Sequence, residues 1–325
     1  MIFQPFFESI TRQIEHTTYG QHPKELYEPI RYIMSLGGKR LRPLLTVLSA
    51  HLFSDDWQQS LKPAVAVEVF HNFTLMHDDI MDQAPLRRGQ PTVHEKWNAN
   101  TAILSGDVML VNAYELLLDI DPMLLPRVIR RFNRTAAEVC EGQQLDMNFE
   151  SRSDVSEEEY INMIRLKTSV LLGFAMELGG MIAGASEATT QALYDAGVSM
   201  GLGFQLKDDL LDVYGDPEKF GKQVGGDIIA NKKTFMLIEA LTLATGETKE
   251  KLNHWLSLEQ GTYDIPTKVA AVTAIYSQLS IDKIAEAKAD AYFTKGFAIL
   301  KELPVAEARK KPLIDFAVYL LGRQS

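Results

Sequence analysis

Apolar residues recur along almost the whole chain three and four positions apart, and no run of alternating β-branched residues bounded by turns calls for a sheet. The pattern predicts an all-α protein. Its longest apolar-periodic segments cover about 61–82, 126–149, 157–185 and 189–214, and these are the expected core helices. Turn chemistry marks the breaks, at Gly37-Gly38, Arg88-Gly89-Gln90-Pro91, Tyr214-Gly215-Asp216-Pro217 and Gly225-Gly226-Asp227. No linker rich in Pro, Gly or Ser divides the chain, so one domain over residues 1–325 is expected.

Two of these helical segments end in the same acidic pattern. Asp78-Asp79-Ile80-Met81-Asp82 and Asp208-Asp209-Leu210-Leu211-Asp212 both read Asp-Asp-x-x-Asp. On a helix the first and last Asp of each copy share a face and present two carboxylates to one point. Carboxylates at a helix C-terminus meet the negative end of the dipole, so stability alone would not select them. A solvated helix end would account for one copy; two copies favour a bound cation. Two such faces opposed across a cavity would cage hard cations, and Mg²⁺ completes its shell with water and substrate phosphate. A phosphorylated ligand is therefore expected.

Composition narrows the classes. With 46% hydrophobic and 23% charged residues, the chain has the balance of a globular protein rather than a disordered one. A formal net charge of -10 argues against nucleic acid as the main partner. Cys140 is the only cysteine, which excludes an intrachain disulfide and a thiolate metal cluster and fits a reducing cytoplasm. The N-terminus lacks a basic stretch and meets Glu8 early, so no signal peptide is expected. The apolar stretch 169–185 is interrupted by Glu177 and four glycines, which suits a buried helix better than a membrane span.

Basic residues gather near the acidic motifs. Gly37-Gly38-Lys39-Arg40-Leu41-Arg42-Pro43 combines two permissive glycines with three cations able to grip a diphosphate. Arg87-Arg88-Gly89 follows the first acidic motif directly. Lys167-Thr168 lies in an apolar stretch where a lysine needs a partner, and Lys222 and Lys232 follow the second motif. Gly142-Gln143-Gln144-Leu145-Asp146 adds an amide and a carboxylate on neighbouring positions of one helix face.

In this order and spacing, together with His71 and Phe204-Gln205, these motifs make the chain resemble the trans-isoprenyl diphosphate synthases of the polyprenyl synthetase family, over nearly its whole length. The resemblance implies the isoprenoid synthase fold, a bundle of core helices around a central cavity. It also implies a Mg²⁺-dependent prenyltransferase joining an allylic diphosphate to isopentenyl diphosphate head to tail. Roughly three Mg²⁺ ions are implied, held by Asp78, Asp82, Asp146 and Asp208, with Asp79, Asp209 and Asp212 in support. Arg87, Lys167, Lys222 and Lys232 would meet the allylic diphosphate. Lys39, Arg42, His71 and Arg88 would form a metal-free pocket for isopentenyl diphosphate, whose diphosphate does not leave. Thr168 and Gln205 would turn oxygen dipoles to the developing cation. The departing diphosphate would take the final proton, and a homodimer without integral membrane association is implied.

Chain growth is expected to run past the residues one to two turns before Asp78, namely Thr74, Phe73 and Phe70. In the family a large aromatic five residues before the motif restricts the product, and Phe73 holds that place. Thr74 in place of a second aromatic, with no insertion in the motif, resembles C20 producers. Geranylgeranyl diphosphate is the expected product, with farnesyl diphosphate the alternative. A class I terpene cyclase would not need the isopentenyl diphosphate cations, and a non-catalytic regulatory subunit would have lost some of these ligands. His77 is expected to be structural, its ring turned from the side of Asp78 and Asp82.

Overall fold

The structure is a computed structural model that describes residues 2–215, 225–259 and 261–321. Helices account for nearly all of its regular structure, as the periodicity predicts. In chain order they begin α1 (Gln4–His16), α2 (Lys24–Ser35), α3 (Leu41–His51), a short 3₁₀ turn Trp57–Ser60 and α4 (Leu61–Met81). A ribbon of two residues per strand follows, β1 (Leu86–Arg87) antiparallel to β2 (Gln90–Pro91). Then come α5 (Val93–Lys96), α6 (Ala99–Leu117), α7 (Leu125–Glu150), α8 (Glu157–Ile164), α9 (Val170–Ile182) and α10 (Glu187–Tyr214). The remaining helices are Gly226–Ile229, Phe235–Leu243, Gly246–Ser257, Ile265–Gln278, Ile281–Glu302 and Glu307–Leu321.

The chain divides into two compact units, and all five divisions fall inside helices, α7, α9 and α10 among them, rather than in linkers. The first unit comprises Met1–Ala136, Leu171–Gly197 and Ala298–Leu320. Its centre is α4, apolar on every side from Ala64 to Phe70 and interrupted only by Glu68, so it is buried all round rather than amphipathic. α6 is its principal neighbour. α6 opens on Asn98, whose side-chain oxygen accepts from Thr101 N–H at 2.9 Å and satisfies one orphan donor of the first turn. An aromatic cluster of Phe70, Tyr114, Phe132 and Phe174 fills the space beside α4, with centroids 5.0–5.7 Å apart.

The second unit comprises Ala137–Val170, Val198–Phe297 and Leu321–Ser325. Here the structure departs from the expected continuous helix over 157–185. Ser156 and Glu159 cap α8 reciprocally, but Arg165–Ser169 form one π-helical turn before α9 resumes the α-helical pitch. A π turn adds one residue and leaves the spacing of apolar positions nearly intact, so periodicity does not reveal it. The ribbon is the second departure: its strands are too short to show alternation, and the sequence displays only their turn, where Arg88 (φ 54°) and Gly89 (φ 74°) are both left-handed. Among the described residues no helix is long and apolar enough to cross a membrane, and stretch 169–185 is largely the buried α9.

Candidate active site

Gly37 (φ 76°) and Gly38 (φ 129°) adopt backbone angles that suit glycine, and Arg40 (φ 46°) follows as the left-handed cap of α3. That turn sends Arg40 inward. Its guanidinium donates to Glu68 Oε1 at 2.6 Å and to the Met34 carbonyl at 2.7 Å, with both charged side chains below 10% exposure. Arg40 is thus not one of three cations available to a diphosphate, and the expectation drawn from the basic run is corrected. Lys39 stays exposed. Arg42, two residues along α3, leaves its buried Nε without a protein hydrogen-bond acceptor.

On α4, His71 lies close to Arg42, Arg88, Arg87 and Arg40. Burial first, and then these cations in that order, hold its imidazole well below its ordinary pKa, so it is neutral at pH 7. Burial likewise pushes Arg42 down to about 10, against the attraction of Glu68. Arg88 donates to the Gly37 carbonyl, and its guanidinium packs on Gly38 so closely that a Cβ there would lie 2.8 Å from it. The first unit therefore gathers Arg42, His71 and Arg88 around one buried carboxylate, Glu68, already spent on Arg40. Such a cluster suits a polyanion. Sequence reading missed Glu68, although a single charge inside the run Pro63–Phe70 was the available signal.

The first acidic motif closes α4 beside this cluster. Asp79 is 2% exposed and binds Arg87 through both oxygens, at 2.6 to 2.9 Å. Burial raises its pKa while the Arg87 hydrogen bonds oppose the rise. Arg87 also reaches within 3.9 Å of Asp78 Oδ2. Asp78 is partly exposed and Asp82, at the helix cap, is exposed. Asp79 is thus spent on holding Arg87, while Asp78 and Asp82 lie four residues apart at helical spacing. Phe73 and Thr74 are half-buried behind them, Phe73 against Phe70 and His77 with centroids 5.6 and 4.8 Å apart. Phe70 is 1% exposed and belongs to the aromatic core. His77 contacts the Ile103 carbonyl at 3.1 Å and packs on Gly106 of α6.

In the second unit the π turn carries Lys167 and Thr168. Gly142 of α7 faces it so closely that a Cβ would lie 2.1 Å from the Lys167 nitrogen, which explains the glycine of the Gly-Gln-x-x-Asp motif. Lys167 Nζ meets Asp146 Oδ2 at 2.7 Å, and Lys232 Nζ lies 3.5 Å from the same oxygen. Burial opposes ionisation of Asp146, but Lys232 and Lys167 outweigh it and hold the carboxyl below its ordinary value. Gln143, beside it, has a buried Nε2 with no acceptor in the protein.

The second motif repeats the division of labour. Asp209 is 4% exposed and accepts from Tyr160 and from Gln205. Burial pushes it up to about 7, with Asp227 adding repulsion and the two hydrogen bonds opposing. Asp208 and Asp212 are half-buried, and Asp212 Oδ2 accepts from the Asp227 N–H at 3.0 Å. Tyr160 was not singled out from the sequence; its place seven residues before Lys167 gave no chemical signal. Lys222 lies outside the described residues.

The donor chemistry fits a hard divalent cation. Each motif offers aspartate oxygens with no thiolate or imidazole among them. Among the described residues no three His, Cys, Asp or Glu side chains stand together as a complete cage. An ion that takes one or two carboxylates and fills its shell with water and phosphate oxygens needs no such cage.

Comparison with known proteins agrees. The family model for polyprenyl synthetase matches residues 23–277. A geranylgeranyl diphosphate synthase of Methanosarcina mazei is 38% identical over 307 residues, 93% of this chain and 91% of its own. The crystal structure of a geranylgeranyl pyrophosphate synthase superposes with TM-score 0.92 at 45% identity, covering 100% of this chain and 98% of that one. A polyprenyl synthase from Caulobacter crescentus, 28% identical with TM-score 0.86 over 99% of this chain and 96% of its own, was solved with calcium and isoprenyl diphosphate. From its motifs, its all-α fold and these matches, the chain belongs to the polyprenyl synthetase family and is a prenyltransferase of the isoprenyl diphosphate synthase type.

Proposed function

We propose that the protein condenses an allylic diphosphate with isopentenyl diphosphate head to tail, releasing diphosphate, and that its main product is geranylgeranyl diphosphate. The observation that carries the two-substrate reading is the cluster of Arg42, His71 and Arg88. A diphosphate held by fixed cations, where the one nearby carboxylate, Glu68, is already paired with Arg40, is one that stays on its substrate. The aspartate-rich ends then serve the diphosphate that leaves.

In this reading Asp78, Asp82 and Asp146 hold two Mg²⁺ ions and Asp208 leads the group for a third; when bound, these ions neutralise the leaving diphosphate. Asp79 and Asp209 work through Arg87 and Gln205, and Asp212 steadies the turn at Asp227. Arg87, Lys167, Lys222 and Lys232 grip the allylic diphosphate. Lys39, Arg42, His71 and Arg88 orient isopentenyl diphosphate, with His71 as a neutral donor. As the allylic C–O bond breaks, Thr168 and Gln205 face the cation with oxygen dipoles; the isopentenyl double bond attacks, and the released diphosphate accepts the lost proton. Supplying no strong base beside the cation avoids trapping it. Residues 1–325 act as one catalytic domain, and a homodimer in the cytoplasm completes the reading. The C20 assignment rests on Phe73 and Thr74, half-buried behind the first motif, and on relatives that bear the geranylgeranyl name.

Steady-state kinetics with Mg²⁺ test the pocket assignment. Arg42→Ala is expected to raise KM for isopentenyl diphosphate by about tenfold or more and to change that for the allylic partner little. A rise confined to the allylic substrate would overturn it.

A further inference from the structure

Four side chains of the second unit form one line of hydrogen bonds with a fixed polarity. Tyr160, 2% exposed, donates its hydroxyl to Asp209 Oδ2 at 2.5 Å. The other oxygen of Asp209 accepts from Gln205 Nε2 at 3.2 Å. Gln205 in turn presents Oε1 to Thr168, whose hydroxyl donates across 3.4 Å. An ionised carboxylate has no hydrogen to give, so every group that bonds to it must donate. Gln205 therefore turns its nitrogen inward and its carbonyl oxygen toward Thr168. That oxygen draws the only hydroxyl hydrogen of Thr168, and the lone pairs of Thr168 face away from Gln205. The two ends of an amide are nearly the same size, so a neutral amide in place of Asp209 would accept Gln205 either way round.

We propose that Asp209, held by Tyr160, is a positioning residue that sets the polarity of Gln205 and Thr168, so that oxygens rather than hydrogens face the developing allylic cation. The inference rests on the reading that Thr168 and Gln205 line the site of ionisation. It gives the middle aspartate of the second motif a task distinct from its neighbours. With both oxygens engaged by protein donors and 4% exposure, Asp209 is placed to orient a dipole rather than to touch the leaving group. Tyr160 holds Oδ2, so that Oδ1 keeps its aim on Gln205. Fixed dipoles in a water-excluded site are worth most when aligned before the charge appears.

Binding measurements separate this from a general structural role. Calorimetry would use saturating Mg²⁺ and two allylic diphosphate analogues. One is a thiolodiphosphate, neutral at the reacting carbon; the other carries an ammonium nitrogen there. Asp209→Asn is expected to raise the Kd of the ammonium analogue about tenfold and to leave the thiolo analogue within about twofold, because only the cation reads the dipoles. Tyr160→Phe should produce the same selective loss, about threefold. Equal weakening of both analogues, which would place Asp209 in service of the metal and diphosphate, or no weakening of either, would overturn the proposal. Should Asp209→Asn fail to fold, Tyr160→Phe decides by the same criterion. A wild-type protein that binds neither analogue would instead remove the underlying reading of the site.

Discussion

At the scale of single residues, the two acidic motifs divide their carboxylates in the same way. The first and last aspartates keep some exposure, while the middle one, Asp79 or Asp209, is buried and bonded to a neighbour with another task. The sequence shows three similar carboxylates and cannot reveal that division, because it depends on which face of the helix the rest of the unit covers. Glu68 is a parallel case. Its pair with Arg40 is nearly dry, and removing one partner strands the other charge. Glu68→Gln is expected to lower stability by about 3 kcal/mol, read as a drop in Tm, whereas Arg40→Met with Glu68→Leu should recover most of it. A single variant as stable as wild type would contradict the burial. Asp209 adds a pH effect. Its folded pKa of about 7 lies above the unfolded 3.8, so between these values the folded chain holds a proton that the unfolded chain has lost. Its contribution to stability is therefore full below pH 3.8 and declines as pH rises toward 7. In metal-free protein, Asp209→Asn should gain Tm relative to wild type from pH 5 to pH 8, and a constant difference would count against the burial assigned to Asp209.

At the scale of elements, legibility followed the length of the pattern. α4 was readable to within a residue because a long apolar run ends in charged residues. The π turn at Arg165–Ser169 was not, since it barely disturbs apolar spacing, although it positions Lys167 and Thr168. Basic runs revealed cations but not their direction: the left-handed angle at Arg40 turns that side chain into the core, while Arg42 stays with His71 and Arg88. The close approach of α7 to the π turn gives a test. Gly142→Ala would force its methyl against the Lys167 backbone and should cost about 1–3 kcal/mol with at least a tenfold loss of kcat. Unchanged kinetics would mean that the turn's position does not matter to the reaction. Behind the first motif, the structure separates two aromatics that the sequence grouped. Phe70→Ala should mainly destabilise the cluster with Phe132, by about 3–5 kcal/mol, whereas Phe73→Ala should mainly lengthen the product. A variant of Phe73 with the wild-type product distribution would place the floor of the growing chain elsewhere, for example on α6.

At the scale of the whole molecule, the all-α architecture and the family were legible because function here is written in many spaced motifs, from Gly37 to Lys232, rather than in one. The family match at residues 23–277 spans segments of both compact units. The chain's net charge of -10 is no obstacle to an anionic substrate, because Arg42 and Arg88, beside the neutral His71, concentrate positive charge locally. The central claim is a two-substrate coupling that stops at C20. Incubation of the purified protein with dimethylallyl diphosphate, isopentenyl diphosphate and Mg²⁺, followed by chromatographic sizing of the products, tests it most directly. Geranylgeranyl diphosphate as the main product, with diphosphate released only when Mg²⁺ and both substrates are present, is the predicted result. Products of C30 or longer, a cyclised hydrocarbon formed without isopentenyl diphosphate, or no diphosphate release with any allylic primer would contradict it.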